Sequence, residues 1–327
     1  MIDKQKEEEF YSKEFSFSYS SLNRLLFSPS LFYKDYILQD REIKTDKYLV
    51  EGKLVHCLVF EPENLDSKFN IVPGKAPSDN IRKVLKHLST VTVSEKLSDV
   101  SNDVILDALK EFNLYQSLKL DDARVAKVKV DDFEPYWKFL SNTNVDVIDQ
   151  DTLAKCTDYA EIIKSNSDVM ELFSSVETDF ELDPVQTYAE KYLECDLKDK
   201  PFGLKGYIDF YKVDSDEKLV TICDLKTTSK SISDFKDTID FYNYWLQAAI
   251  YCKMVYENLD EDQKEFNIIY KFAVIDSYKQ VYVFDVSSET LSMWTEGLRE
   301  VLSVAEYHYT ERKYTLPYEF LAKKVIL

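Results

Sequence analysis

The spacing of apolar residues divides the chain into a helical first half and a strand-rich second half. Apolar positions recur with a helical period over 17–39, where Pro29 separates two helices, and over 45–61, which ends before Pro62. From 78 to about 175 the apolar stripes are again mostly helical. We therefore expect helices through the first half of the chain and no internal repeat.

The second half has the pattern of consecutive β-strands. Short segments rich in β-branched and aromatic residues, separated by polar turns, predict strands over 186–196, 202–213 and 218–228. A helix that opens at Ser231 or Ser233 and runs through Tyr256 follows. Two more strands, over 266–275 and 279–286, precede a last helix that opens at 287–289. The predicted order is three strands, a helix, two strands and a helix.

Composition indicates an ordinary globular protein. The 327 residues can bury a full core as one large domain or two smaller ones. Five glycines and eight prolines argue against long disordered linkers. No apolar run approaches the roughly 20 residues of a membrane span. The charged N-terminus lacks the apolar core of a signal peptide. We expect a flexible acidic tail at 1–16 and a soluble cytoplasmic protein that does not contact membranes.

The cysteines predict reduced, mostly buried thiols. There are five, an odd number, and none forms a C-x-x-C pair. This spacing disfavours disulfides, zinc sites and iron–sulfur clusters. The cysteines are Cys57, Cys156, Cys195, Cys223 and Cys252.

The charge balance makes a general nucleic-acid-binding surface difficult. Sixty acidic residues against forty-one basic ones give a formal net charge of −19. A field of that sign repels phosphates. A protein of this charge that acts on DNA needs a local basic groove, a bound cation or a basic partner.

The strongest candidate chemistry is a set of charged residues at the ends of two predicted strands. Asp209 ends the run G-L-K-G-Y-I-D, and Asp224-Leu225-Lys226 ends the run L-V-T-I-C-D-L-K. Residues two apart on a strand share a face, so Asp224 and Lys226 point the same way. Oxygen ligands suit Mg²⁺, and a nearby ammonium suits phosphodiester hydrolysis. A solvent-exposed ion pair is the alternative explanation of the same residues.

Together with three further elements, these residues resemble the PD-(D/E)xK nuclease superfamily, in its branch of RecB-like and phage recombination exonucleases. Gly52-x-x-x-His56 and Gln247-x-x-x-Tyr251 resemble two motifs of that branch, and the segment S-Y-S-S-L-N-R-L-L-F-S-P-S-L-F-Y resembles its helical opening. The match covers about 17–62 and 186–286. It implies an α/β (α+β) fold: an αβββαβ core with a mixed central sheet flanked by helices and a helical insertion.

The resemblance also implies a division of the chain. Residues 17–76 would form the N-terminal helices of the nuclease core, and 77–180 a helical insertion or subdomain. Residues 181–327 would form the sheet and catalytic core.

One branch of the superfamily carries an iron–sulfur cluster, with three grouped cysteines after the nuclease core. No cysteine follows Cys252 here, so the sequence disfavours that branch.

The resemblance implies a metal site with Mg²⁺ or Mn²⁺ as cofactor. Its expected ligands are His56, Asp209, Asp224, the backbone carbonyl of Leu225 and, more loosely, Glu190. Glu194 lies on the same predicted strand as Glu190 and competes with it for that place.

The expected catalytic residues surround that metal. They are Asp209, Asp224, Lys226, Gln247 and Tyr251. Lys226 would position or deprotonate the attacking water, while Gln247 and Tyr251 would order the site and the substrate strand. Further residues suggest a basic, aromatic groove for a strand end: Lys205, Lys226 and Lys230, with Tyr207 and Tyr211. A solvated strand edge is the alternative explanation of Lys205.

The function implied is a divalent-metal-dependent DNA exonuclease that acts at linear duplex or single-strand ends, in phage-type recombination or DNA processing. A single-strand annealing or recombination protein is an expected partner, and a homo-oligomer is open. Two alternatives remain at this point. One is a catalytically idle relative that binds a nucleoprotein partner or mimics DNA through its charge. The other is an endonuclease with the same site.

Overall fold

The protein divides into two compact units. The computed structural model describes residues 2–41, 46–74, 77–141, 145–173 and 184–325. One unit combines 1–44 with 161–327, and the other spans 45–160. The boundary expected between 180 and 181 lies outside the described residues.

Before residue 185 the described chain is mainly helical, and the longer strands come after it. In chain order the helices are α1 (Ile2–Tyr11), α2 (Tyr19–Phe27), α3 (Pro29–Phe32), α4 (Lys47–Phe60), α5 (Leu65–Lys68), α6 (Asp79–Val91), α7 (Asn102–Glu111), α8 (Asp121–Val125), α9 (Glu134–Ser141), α10 (Gln150–Ser165), α11 (Ser167–Phe173), α12 (Phe235–Tyr242), α13 (Tyr244–Asn258), α14 (Ser288–Glu311) and α15 (Tyr318–Leu321). The strands are β1 (Ser16–Phe17), β2 (Phe69–Ile71), β3 (Asp146–Ile148), β4 (Val185–Asp196), β5 (Gly203–Asp214), β6 (Leu219–Thr228), β7 (Asn267–Asp276) and β8 (Val281–Val286). None of the described helices is long and apolar enough to cross a bilayer.

The first unit is built on a six-stranded mixed sheet. Its order is β1-β5-β6-β7-β8, with β4 paired to β5 as well. The pairs β4–β5, β5–β6 and β7–β8 are antiparallel, whereas β1–β5 and β6–β7 are parallel. A parallel neighbour requires a crossover, and α12 and α13 supply it between β6 and β7. This confirms the predicted mixed sheet flanked by helices.

The strands β5 and β6 separate part-way along their length. Their ladder pairs Val213 with Val220 and ends at Phe210 with Cys223. The same register places Asp209 opposite Asp224 immediately beyond that point. Beyond it, β6 keeps its other partner, because its pairing with β7 continues to Thr228. The separation therefore leaves two acidic side chains at an open edge within the sheet.

Helix α13 is buried over most of its length. Nine of its residues are buried, from Leu246 to Val255, and it packs on α14, on α2 and on the sheet. The predicted helix from Ser231 to Tyr256 is instead interrupted. Asn243 has a φ of 57°, in the left-handed region that asparagine tolerates, and this ends α12 before α13 begins.

The N-terminal segment differs from the expected flexible tail. Residues Ile2–Tyr11 form α1, and Phe10 joins the main core cluster. The hydroxyls of Tyr11 and Tyr314 are 2.7 Å apart and share a hydrogen bond. The many charged residues of this segment suggested a solvated tail, but Phe10 and Tyr11 at its end anchor the helix to the core.

The second unit has its own core. Twelve buried residues of α6, α7 and their neighbours form it, with Trp137 fully buried. The segment from 78 to about 175, which was expected to be mostly helical, also contains β3, which pairs in parallel with β2. A three-residue strand is too short to give a clear alternation in the sequence.

All five cysteines are free and buried, as predicted. Burial raises the pKa of the Cys252 thiol to about 12 and that of Cys195 to about 11. Thiols with such pKa values are protonated at neutral pH, so they are poor nucleophiles and metal ligands. The cysteines therefore have packing roles.

Candidate active site

Asp209 and Leu225 meet where β5 and β6 separate. A carboxylate oxygen of Asp209 (Oδ2) accepts a hydrogen bond of 2.9 Å from the Leu225 amide. In a strand, the N–H and C=O of one residue point to the same edge. The Leu225 carbonyl therefore points to the edge of β6 that Asp209 occupies. Asp209 is only 7% exposed, so both oxygens lie in a restricted site.

Asp224 is fully buried and has two polar contacts on one side of the sheet. Its Oδ2 atom is 2.7 Å from the Lys226 Nζ atom, and its Oδ1 atom accepts a 3.1 Å hydrogen bond from Gln247 Nε2. Asp224 and Lys226 thus share a face, as the period of two requires. This ion pair is not the exposed surface pair of the alternative explanation, because the Lys226 side chain is 14% exposed and that of Asp224 is 0% exposed.

Gln247 links the strand residues to helix α13. Its Oε1 atom accepts a 2.9 Å hydrogen bond from Lys226 Nζ, while its Nε2 atom donates to Asp224 and, at 2.8 Å, to the Tyr251 hydroxyl. One amide therefore orients the lysine and the aspartate together. Gln247 and Tyr251 are one helical turn apart, as residues at i and i+4 must be to meet.

The site is strongly acidic, and this decides the protonation of its lysine. Burial would lower the pKa of the Lys226 ammonium, but the charges of Asp224 and Asp209 outweigh burial and raise the pKa. The Tyr251 hydroxyl has its pKa raised well above the usual value by burial and by the same two carboxylates. Lys226 is therefore charged and Tyr251 neutral at physiological pH.

Glu190 lies opposite Asp209 in the β4–β5 pair. The neighbouring pairs are Ala189 with Phe210 and Lys191 with Ile208. A carboxylate oxygen of Glu190 lies within 4.8 Å of one of Asp209. Glu190 also has a φ of 45°, which is strained for a residue with a side chain. Strain of this kind clusters at functional sites, which favours a role for Glu190.

The competing residue, Glu194, is engaged elsewhere. Its carboxylate accepts hydrogen bonds from the Ser16 hydroxyl and, at 2.9 Å, from the Tyr192 hydroxyl. These two bonds lower the pKa of Glu194. Of the two glutamates on β4, Glu190 is thus the one beside Asp209.

His56 lies on α4, in the second unit. It is half-buried, and its ring centroid lies 6.1 Å from that of Phe60 in an edge-on arrangement. Gly52 precedes it by one turn on the same helix. Its assignment as a metal ligand stays a prediction.

Comparison with known proteins decides the family. A family model described as the PD-(D/E)XK nuclease superfamily matches residues 16–314. The chain belongs to the PD-(D/E)XK nuclease superfamily.

A structural comparison agrees with this nuclease fold. The crystal structure of a candidate exonuclease from Eubacterium rectale matches with a TM-score of 0.50 over 97% of this chain and 91% of that chain. The two sequences are 12% identical, so the likeness concerns the fold alone. A sequence comparison with curated proteins finds no match.

The residues of this candidate site fit the divalent cation that the superfamily implies. Three carboxylates, from Glu190, Asp209 and Asp224, lie around the separation of β5 and β6, and one ammonium, from Lys226, pairs with Asp224. Buried carboxylates in excess of their cations are costly unless another positive charge is bound. Oxygen donors of this kind are those that Mg²⁺ and Mn²⁺ prefer.

Two tyrosines near the candidate site were missed by sequence reasoning. The Lys226 Nζ atom lies 4.5 Å from the ring centroid of Tyr244, in a cation–π contact. Tyr19 is close enough for the charge of Lys226 to affect its pKa, which burial raises. A signal for Tyr244 was present, because positions 244, 247 and 251 fall on one face of a helix.

The residues of the predicted basic, aromatic groove differ in their exposure. Lys205 lies over the ring of Phe15, and Tyr207 is 60% exposed beside Tyr192. Tyr211 is buried and stacked on Tyr188, so its inclusion was wrong. The side chain is held in the core because its ring packs against the neighbouring strand.

Replacing Gln247 with alanine is expected to slow DNA cleavage by about 10- to 100-fold, the usual effect of removing a residue that orients metal-site groups. Lys226 and Asp224 would keep their ion pair but lose the shared amide that fixes its direction. Single-turnover cleavage rates measure the effect. Gln186→Ala is the control, since Gln186 is an exposed glutamine on β4. An unchanged rate in Gln247→Ala would contradict the orienting role.

Proposed function

We propose that this protein is a divalent-metal-dependent deoxyribonuclease that hydrolyses phosphodiester bonds, acting as an exonuclease. The observation that carries the proposal is the convergence of Asp209, Asp224 and Lys226 where β5 and β6 separate, with Gln247 joining two of them. Membership of a nuclease superfamily supports the same chemistry.

Asp209, Asp224 and the Leu225 carbonyl are the residues that we assign to hold Mg²⁺ or Mn²⁺, with Glu190 as a further carboxylate and His56 as a predicted additional ligand. When bound, the cation supplies Lewis-acid chemistry that polarises the phosphate and favours deprotonation of the attacking water. The carboxylates set its position because they are buried and fixed by the Leu225 amide and by Gln247.

Lys226 acts as a charged donor in this proposal. Its raised pKa keeps it protonated, so it positions the water or the scissile phosphate rather than removing a proton. An ammonium has three donors, and Asp224 and Gln247 take two of them. We assign the third to the substrate. Tyr251, held neutral, serves as a further hydrogen-bonding group beside Gln247.

Digestion of linear and circular duplex DNA tests the proposal. We expect loss of linear DNA in the presence of Mg²⁺ or Mn²⁺, no loss with a chelator, and an intact covalently closed circle. Cleavage of the circle would identify an endonuclease that uses the same site. Absence of metal-dependent cleavage, with tight binding to a basic nucleoprotein, would favour the idle DNA mimic that the net charge of −19 suggests.

The biological setting belongs to the same proposal. The sequence resemblance to phage recombination exonucleases supports a role in recombination or DNA processing, with a single-strand annealing or recombination protein as partner. Co-purification with such a protein tests the partner, and size-exclusion chromatography with light scattering tests whether the chain forms a homo-oligomer.

A further inference from the structure

A continuous line of aromatic rings runs from the active-site lysine to the protein surface. Lys226 Nζ lies 4.5 Å from the centroid of Tyr244, whose ring stacks on Tyr242 at 5.5 Å. The ring of Phe241 meets that of Tyr242 edge-on at 4.8 Å, and Lys230 Nζ lies 5.3 Å from the Phe241 centroid. We call Phe241, Tyr242 and Tyr244, with Lys230 at the outer end, the aromatic step.

The chain holds this step in place through the break between α12 and α13. Asn243 adopts the left-handed conformation there, donates a 2.8 Å hydrogen bond to the Asn23 side chain and accepts one of 3.1 Å from Trp245. The Tyr19 hydroxyl donates to the carbonyl of Tyr242. The position of the step is therefore fixed by side chains from α2 as well as by the helices that carry it.

The outer rings of the step are unusually exposed. Phe241 is 72% exposed and Tyr242 43% exposed, next to each other, and Tyr244 connects them to Lys226. Large apolar side chains grouped at the surface indicate a binding site rather than a packing role. The continuity with Lys226 indicates that the ligand is the substrate of that site.

The charges around the step favour nucleobases over phosphates. The helix that carries Phe241 has two exposed carboxylates, Asp237 and Asp240, against one exposed ammonium, Lys236, so its excess charge is negative and repels phosphate groups. Lys230 is the cation in contact with the Phe241 ring, and it is exposed. Bases stack on aromatic rings without regard to sequence, at about 1–3 kcal/mol per base. An acidic protein can thus hold a strand through its bases.

We propose that the aromatic step binds unpaired nucleobases of the substrate strand beside the scissile phosphate, so that the enzyme takes a single-stranded or frayed DNA end. This inference rests on the proposed nuclease function and adds the class of substrate. Base pairs present only their edges to a protein, whereas an unpaired base offers its face to Phe241 and Tyr242.

Binding of short oligonucleotides without cleavage tests the step. The probes are a fluorescein-labelled 12-mer of thymidine and a base-free 12-mer of abasic sites, in Ca²⁺ in place of Mg²⁺, followed by fluorescence anisotropy. We expect the double variant Phe241→Ala with Tyr242→Ala to raise the Kd for the thymidine strand at least about tenfold, a loss within the range for one or two stacked bases. Its Kd for the abasic strand should equal that of the wild type.

Two matched variants control for general effects on the surface. Phe320→Ala removes an exposed phenylalanine from α15, which packs on α14, and should leave both Kd values unchanged. Phe241→Trp keeps a stacking ring and should keep wild-type affinity, which a merely structural role for Phe241 does not predict.

The outcomes separate this inference from the proposed function. A wild type that degrades DNA, with unchanged binding of the thymidine strand in the double variant, would overturn the aromatic step alone. An equal loss on the abasic strand would overturn it too, since the bases would not be the ligand. A wild type that binds the thymidine strand but degrades no DNA would refute the nuclease function while leaving the base contact in place.

Discussion

Replacing Asp224 with asparagine is expected to reduce metal-dependent DNA cleavage by about a thousandfold or more, because several kcal/mol of charge stabilisation at the phosphate depend on the cation that this carboxylate holds. Asparagine has the same shape, and its amide oxygen can still accept the hydrogen bond from Gln247. The fold should therefore persist. Cleavage of linear duplex DNA by purified protein in Mg²⁺ measures the rate, and circular dichroism checks the fold.

Asp285→Asn is the matched control for this substitution. Asp285 pairs with Lys271 on the neighbouring part of the sheet, but its side chain is 76% exposed. Loss of the Asp285 carboxylate should leave the cleavage rate within twofold of the wild type, which corresponds to about 0.4 kcal/mol in activation free energy. Full activity in Asp224→Asn, or an equal loss in the two variants, would refute the assignment of Asp224 to the cation.

Replacing Lys226 with methionine is expected to lower the free energy of unfolding by about 3–5 kcal/mol in the absence of divalent metal, because it leaves the buried Asp224 carboxylate without its partner. The raised pKa of Lys226 fixes the pH range over which this lysine stabilises the folded state. A group whose pKa rises on folding contributes fully below its unfolded pKa and loses that contribution as the pH rises through the folded value. Neutral pH lies below the unfolded pKa of lysine, so the full destabilisation by Lys226→Met should be measured there.

Addition of Mn²⁺ should recover part of the stability of Lys226→Met. A cation that binds only the folded state stabilises it, and the acidic site attracts the cation more strongly once the ammonium is gone. The rise in melting temperature with Mn²⁺ should thus be larger in the variant than in the wild type, as differential scanning calorimetry can measure. Cleavage should nevertheless be lost, because methionine cannot donate a hydrogen bond to the substrate.

Lys271→Met controls for removal of a lysine from the same sheet. Its partner Asp285 is mostly exposed, so the expected loss of stability is about 1 kcal/mol or less, with no gain from Mn²⁺. A loss in Lys226→Met as small as this one, with an equal response to Mn²⁺, would show that the acidic site does not depend on a cation.

Much of the sheet was predictable because its residues alternate. The strands expected at 186–196, 202–213 and 218–228 are found as Val185–Asp196, Gly203–Asp214 and Leu219–Thr228. The face shared by Asp224 and Lys226 follows from the period of two alone. The contacts of Asp224 and Lys226 with Gln247 could not be predicted from this period, because they depend on how α13 packs over that face of the sheet.

Other features depend on contacts between distant parts of the chain. The break at Asn243 is stabilised by Asn23, which is 220 residues away in sequence, and helical spacing alone suggested a continuous helix. The strained φ of Glu190 likewise has no local signal in the sequence. Tertiary packing determines such features, so the local spacing of apolar residues cannot predict them.

Anomalous scattering from Mn²⁺ in crystals of the wild-type protein tests the central claim most directly. That claim is that the carboxylates at the separation of β5 and β6 hold a divalent cation. The account predicts an anomalous peak within coordination distance of both Asp209 and Asp224, and no such peak in crystals of Asp224→Asn. Crystals of the wild type with Mn²⁺ bound only elsewhere, or with the Lys226–Asp224 pair intact and no peak beside it, would contradict the claim.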